Sequence, residues 1–188
     1  MPLVHRRLVM TADRIDRALE RIGYEILERC PDPSSIALIG IRNGGVNPTL
    51  RIAHYLKKIE GLEIPIGMLD ITLYRDDISA NNKPLIKKTE IDFDLEGKWL
   101  VLVDDVLFTG RTLRAALDAV MGYGRPSCVR AAILVDRGHR ELPIQPDFVG
   151  QVLDTDRHEK VDVTIGEAKG RNDKVVVVSE VQPVEAPE

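Results

Sequence analysis

Three observations predict an α/β fold built on a central parallel sheet flanked by helices. Largely apolar runs of strand length recur at Ser35–Ile41, Trp99–Val103 and Cys128–Val135, and near-continuous apolar character marks strands buried on both faces. Segments of helical period lie between them, as parallel crossovers require. Two of the strands run straight into glycine-bearing loops that open a helix, at 40–45 and 108–112. Both loops are therefore expected beyond the carboxyl ends of the sheet, where open α/β folds bind ligands.

With 188 residues, 44% hydrophobic and 30% charged, the chain suits one soluble domain with a sizeable core. That domain is expected over residues 1–180, followed by an acidic, Pro-bearing tail over 181–188 that reads as disordered. No apolar run approaches a membrane span and the start lacks a signal peptide's apolar region, so no membrane association and a cytoplasmic location are expected. Cys30 and Cys128 stand apart from each other and from any histidine cluster, and read as ordinary reduced thiols. A net charge of −4 argues against a general nucleic-acid-coating surface, while leaving a local basic face open.

The first helix is expected from an N-cap at Thr11 to about Arg29, with Ile15, Leu19, Ile22 and Ile26 facing the core. Arg14, Arg17, Arg21 and Arg29 fall along another side. Glu20, Glu25 and Glu28 interleave with them, so the residues alone read as a solvated face. After the strand ending at Ile41, Asn47 and Pro48 read as a cap and first-turn pair. Ile52, Leu56 and Ile59 then form a helix side that Gly61 ends. Ile64–Tyr74 alternates as an extended strand. Arg75–Lys88 is polar, with no helical period, and Glu90–Asp94 reads as a returning strand. The whole, about 74–90, suits a flexible hairpin able to close over a site, with Arg75 and Lys83 as candidate phosphate contacts; a solvated loop is the plainer alternative.

The centre of the chain is Lys98–Leu117. Its five apolar residues, Trp99–Val103, deliver Asp104 and Asp105 to a strand end. The loop Phe108-Thr109-Gly110-Arg111-Thr112 then opens a helix with Leu113, Ala116, Leu117 and Val120 on one side. Free N–H groups, two hydroxyls and the positive end of a helix dipole suit a phosphate, and the two carboxylates suit ribose hydroxyls or a magnesium ion beside it. Further strands are expected at Cys128–Val135, Phe148–Leu153, Val161–Ile165 and Val175–Val178. The third apolar strand ends in Asp136-Arg137-Gly138-His139-Arg140-Glu141-Leu142-Pro143, again aimed at the crevice.

DITLYRDD at 70–77, VLVDDVLFTGRT at 101–112 and LVDRGHRELPI at 134–144 together resemble the PyrR family of bifunctional pyrimidine operon regulators with uracil phosphoribosyltransferase activity. Their fold is the type I phosphoribosyltransferase fold: a parallel sheet flanked by helices, a flexible hairpin and a small hood. The resemblance implies conversion of uracil and phosphoribosyl pyrophosphate (PRPP) to UMP and pyrophosphate, with Mg2+ accompanying PRPP. It also implies regulation of pyr operon expression through the mRNA leader, sensing UMP or UTP, by a homodimer or higher homo-oligomer. Carried over by position, Asp104 and Asp105 hold the ribose hydroxyls, directly or through magnesium-bound water. Val106, Leu107, Phe108, Thr109, Gly110, Arg111 and Thr112 form the remainder of the PRPP and UMP site. Ile41, Arg42, Asn43 and Gly44 form the pyrophosphate loop, Arg75 is a catalytic pyrophosphate contact, and Val135, Asp136 and Arg137 lie near the base. Arg14, Arg17, Arg21, Arg29 and Arg140 become the candidates for RNA contact.

The departures are specific. Asn43-Gly44 stands where a Thr-Arg pair is common, which removes a cation and predicts weaker pyrophosphate binding, offset in part by Arg42. Glu20, Tyr24 and Gln145 replace Thr, His and Arg on the RNA side, which predicts weaker RNA contact. Two rival readings follow: an RNA-binding regulator with weak or no catalysis, and a phosphoribosyltransferase for a purine base, which DRGHRELP disfavours.

Overall fold

The computed structural model describes residues 3–76 and 87–181. The expected hairpin tip with Lys83, and the tail beyond Val181, lie outside the described residues. Eleven elements follow in order: β1 (Leu3–Thr11), α1 (Ala12–Arg29), β2 (Ile36–Ile41), α2 (Val46–Glu60), β3 (Ile66–Leu69), β4 (Trp99–Leu107), α3 (Arg111–Val120), β5 (Cys128–Asp136), β6 (Phe148–Val152), β7 (Lys160–Thr164) and β8 (Lys174–Val181). Five strands form a parallel sheet in the order β3-β2-β4-β5-β6. A smaller antiparallel sheet, β1-β8-β7, stands beside it.

Period two explains why the central strands read as near-continuous apolar runs. Leu38, Val101, Val103, Ala132 and Leu134 face one core, under Ile15, Leu19, Ile22 and Ile26 of α1 and Ile52 and Leu56 of α2. Ala37, Ile39, Ile41, Leu100, Leu102 and Ile133 face the other, under Leu113, Ala116, Ala119 and Val120 of α3. At roughly 1.5–3 kcal/mol for each large side chain taken out of water, these two layers supply most of the drive to fold. Met10, Val175 and Val177 join the first core, so the small sheet is welded to the large one through its inner face.

Several expectations change. Leu3–Thr11 is a strand, which its His5-Arg6-Arg7 centre concealed. The helix α2 starts at Val46, because Gly45 N–H bonds Ile41 O at 2.8 Å and closes a turn there; Asn47 is inside the helix, its amide donating to Ile165 O at 2.7 Å. The strand expected over Ile64–Tyr74 stops at Leu69: the Asp70 carboxylate takes the Thr72 N–H at 2.8 Å and bends Thr72–Tyr74 into a 3-10 turn. Glu90–Asp94 returns as one antiparallel bridge, Met68 to Glu90, and forms no strand of its own. Val181, assigned to the tail, ends β8. Among the described residues no helix is long and apolar enough to cross a membrane.

Candidate active site

The pairing of β4 with β2 ends at Gly40–Val103, while its pairing with β5 continues to Leu107–Asp136. Asp104 and Asp105 therefore lie where β4 outruns one neighbour, at the carboxyl edge of the sheet. Asp104 is 6% exposed, and its Oδ1 accepts the Asp105 N–H at 3.0 Å. Burial, and then the neighbouring Asp105 charge, push the Asp104 carboxyl well above the ordinary carboxylate value; the Asp105 N–H and the Arg75 charge oppose this. Burial raises Asp105 as well. Two adjacent carboxylates that resist ionising together are a site for a cation or for hydroxyl donors.

Beyond the pair, a cavity of about 280 Å³ is lined by Arg75, the continuous run 106–112 and Glu141. Gly110 caps α3 with φ of 94°, a left-handed conformation that favours glycine. The segment that follows β5 braces this loop from behind. Arg137 N–H bonds Leu107 O at 3.0 Å, Arg140 Nη1 bonds Phe108 O at 3.0 Å, and the Glu141 and Leu142 N–H groups both donate to Thr109 O. A Cβ on Gly110 would meet Leu142 and Ile144 at 3.5 Å. The loop's carbonyls are thus occupied, whereas among the described residues the Thr109 and Gly110 N–H groups donate to no protein acceptor. With the Thr109 and Thr112 hydroxyls and the N-terminus of α3, they form an anion cradle. Arg111 is tied to Asp76 and Glu141, each at 2.9 Å, so its charge is already balanced.

The loop after β2 approaches from the other side. A Cβ on Gly45 would lie 2.0 Å from Val103 O, and one on Gly44 would lie 2.1 Å from Asp105 Oδ1, so both positions need glycine in this arrangement. Ile41 is buried. Asn43 takes φ of 84° and its Oδ1 accepts from Lys87 Nζ at 2.7 Å. Arg42 bonds Lys88 O at 2.7 Å and pairs with Glu90 at 3.1 Å.

Around the expected base region, Val135 is fully buried. Asp136 is held by Arg140 at 2.6 Å and Gly138 N–H at 3.0 Å. The Arg137 guanidinium lies 4.2 Å over the Phe108 ring, and burial lowers its pKa. His139 Nε2 sits 2.6 Å from Thr155 O, and among the described residues the buried Arg137 Nε meets no hydrogen-bond acceptor.

The expected RNA residues divide. Arg140 is an internal strut, bonded to Asp136, Phe108, Gly138 and Ile144, so its guanidinium is engaged inside the fold. Arg14 reaches Gln151, Arg21 the carbonyls of Val149 and Gly150, and Arg29 Asp147 O, so three of the α1 arginines lean along β6. Arg17 is exposed and makes no hydrogen bond or ion pair among the described residues.

Asp70, Lys87 and Glu141 were not singled out from the sequence, although each holds a site loop. Their signal is weak, since a carboxylate or lysine in a polar stretch looks like any other. Among the described residues no three His, Cys, Asp or Glu side chains cluster as a metal site. A magnesium ion taking one or two carboxylates and substrate oxygens needs no such cluster, and the pair Asp104–Asp105 fits that pattern.

The phosphoribosyl transferase domain model matches residues 11–178. Proteins called bifunctional protein PyrR from Acetivibrio thermocellus (48% identical, 96% of this chain and 97% of the relative) and Deinococcus radiodurans (50%, 86% and 89%) are similar over most of their length. Among solved structures, a hypoxanthine-guanine phosphoribosyltransferase from Bacillus anthracis shares the fold with a TM-score of 0.68 at 16% identity, over 94% of this chain and 100% of its own. A purine phosphoribosyltransferase from Pyrococcus horikoshii matches with a TM-score of 0.58 at 27% identity, over 74% and 83%. The chain belongs to the phosphoribosyltransferase family and, within it, to the bifunctional PyrR proteins.

Proposed function

We propose that the chain transfers the phosphoribosyl group of PRPP to uracil, giving UMP and pyrophosphate, and regulates pyr operon expression by binding the mRNA leader. One observation carries the enzymatic half: an acid pair, its first member buried, leads directly into a loop whose carbonyls at 107–110 are occupied and whose Thr109 and Gly110 N–H groups are left to a ligand. Membership among the PyrR proteins favours uracil, the base that the resemblance of the three sequence segments implies, and the word bifunctional in the relatives' name supports a second activity.

In this reading the Thr109 and Gly110 N–H groups, the Thr109 and Thr112 hydroxyls and the α3 dipole bind the 5-phosphate. Asp104 and Asp105 accept the ribose 2- and 3-hydroxyls. The Ile41–Gly44 loop and Arg75 face the pyrophosphate, and the Val135–Arg137 turn faces uracil. Uracil N1 then displaces pyrophosphate at C1 with inversion, the N1–C1 bond forming as the C1–O bond breaks and the N1 proton passing to the departing pyrophosphate or to water. The transition state is cationic at the ribose and anionic at the leaving group, so positioning and charge neutralisation supply the rate. No protein nucleophile is needed. Asp104 and Asp105 would hold a magnesium ion that accompanies PRPP, and it would supply positive charge to offset the charge of the leaving pyrophosphate. The chain is cytoplasmic in this reading, one domain over 1–180, and a homodimer or higher homo-oligomer.

The RNA contact in this reading lies on the outer side of α1, where Arg17 makes no hydrogen bond or ion pair among the described residues. The purified protein with PRPP and magnesium is expected to form UMP from uracil, and little nucleotide from hypoxanthine or guanine. Folded protein that yields no UMP would leave a regulator without catalysis; purine nucleotide in place of UMP would move it to the purine enzymes.

A further inference from the structure

The geometry points to Lys87 as the cation of the pyrophosphate loop, a side chain delivered from another segment to contact the leaving pyrophosphate. This rests on the reading of the crevice as a PRPP site. The loop after β2 carries one cation of its own, Arg42, and that guanidinium is turned to the 88–90 segment, its Nε donating to Lys88 O at 2.7 Å and its Nη2 pairing with the Glu90 carboxylate at 3.1 Å. Lys87 Nζ reaches the same loop and donates to Asn43 Oδ1 at 2.7 Å. An amide oxygen takes one of the ammonium's three donors without neutralising its charge. Among the described residues no carboxylate pairs with Lys87.

The position is built, although the side chain is exposed. The Lys87 N–H donates to Asp70 Oδ2, while Asp70 Oδ1 takes the Thr72 N–H and hydroxyl at 2.8 and 2.6 Å. Asp70 N–H donates to Thr89 Oγ1 at 3.1 Å, and Met68 and Glu90 exchange backbone bonds at 2.7 and 2.8 Å. Residues 87–90 are thereby stitched to the end of β3 and to the pyrophosphate loop together. Asn43 holds the ammonium through a left-handed backbone, and the next residue, Gly44, lies directly against the Asp105 carboxylate. An anion at this loop therefore meets the ammonium at one end and the acid pair's cation site at the other. A lysine suits that end, being a compact point charge for a group whose negative charge grows during departure.

The test uses the full chain, with Lys87→Gln and Lys87→Arg. In the forward reaction Lys87→Gln should raise the KM for PRPP about tenfold, and in the reverse reaction that for pyrophosphate equally, as expected for one lost charged contact. The KM for uracil and the affinity for UMP should stay within about twofold, and Lys87→Arg should restore most of the loss. Unchanged pyrophosphate KM in Lys87→Gln overturns the proposal, as does a loss shared equally by uracil and UMP, which marks a structural role. Should wild-type protein make no UMP, the enzymatic reading fails by itself. Calorimetric titration with magnesium pyrophosphate then decides Lys87: tenfold weaker binding by Lys87→Gln supports it, and equal or absent binding in both proteins overturns it.

Discussion

Asp104 shows how the site sets ligand binding against stability. Its carboxyl is buried beside a second one, and both are pushed upward, by burial first and for Asp104 also by the neighbouring charge. Between the ordinary carboxylate value and the raised one, the folded state holds more protons than the unfolded chain. Ligand-free stability therefore falls as pH rises through that window. Asp104→Asn removes the charge while keeping an oxygen for the Asp105 N–H. Its melting temperature without ligand should exceed that of wild type at pH 7–8, by roughly 2–4 °C per kcal/mol relieved, and the difference should shrink towards acid pH. Turnover of PRPP should fall at least about a hundredfold, the scale of losing a group that stabilises the transition state. Scanning calorimetry with and without PRPP and magnesium, paired with a UMP assay, checks both halves. A variant less stable than wild type at neutral pH would mean that the pair is satisfied by partners other than a ligand.

At the scale of elements, Arg51 decides whether the two sheets behave as one unit. Its guanidinium, 4% exposed, bonds Asp173 at 2.7 Å and Asp16, and Asp16 also accepts the Tyr55 hydroxyl. Asp173 takes the Gly166 and Gly170 N–H groups at 3.1 Å each, so one arginine ties α1 and α2 to the turn that starts β8. Burial and the Asp16 contact push the Tyr55 phenol up to about 12. Arg51→Ala leaves the buried Asp173 carboxylate without its counter-charge and should cost about 3–5 kcal/mol, seen as a lower denaturation midpoint, with amide protection lost first in β1, β7 and β8. The same elements show what the sequence discloses. Strands β2, β4 and β5 were legible because both faces are buried, and Gly61 was legible as a C-cap because its φ of 71° favours glycine. β1 was not, because its pairing with β8 joins residues at opposite ends of the chain and its centre is His5-Arg6-Arg7. The phosphate loop could be read from local order alone. Its bracing by Leu142, Ile144 and Arg140 could not, since those contacts exist only once β5 lies beside β4.

For the molecule as a whole, a net charge of −4 means that RNA must be met by a local face and not by a general field. Along α1 the arginines hold two different positions. Arg14, Arg21 and Arg29 bond to β6 and the residue before it, and Arg29 also lies 5.0 Å over the Phe148 ring. Their loss would loosen the packing of α1 on the sheet edge. Arg17 is exposed and makes no hydrogen bond or ion pair among the described residues. An Arg→Ala scan of the helix therefore mixes structural with binding effects unless stability is measured alongside. Arg17→Ala should leave the melting temperature within about 2 °C, a surface change of at most roughly 0.5 kcal/mol. If α1 is the RNA face, it should weaken leader binding and reduce the slope of log affinity against log salt by about 0.7, one phosphate contact on a single strand. Arg21→Ala should lower the melting temperature by more, because the carbonyls of Val149 and Gly150 lose their donor. Binding of leader RNA across a salt series, with UMP present, separates the two variants. An unchanged salt slope in Arg17→Ala would remove α1 from the RNA surface while leaving the nucleotide site untouched, because none of its contacts passes through Arg17.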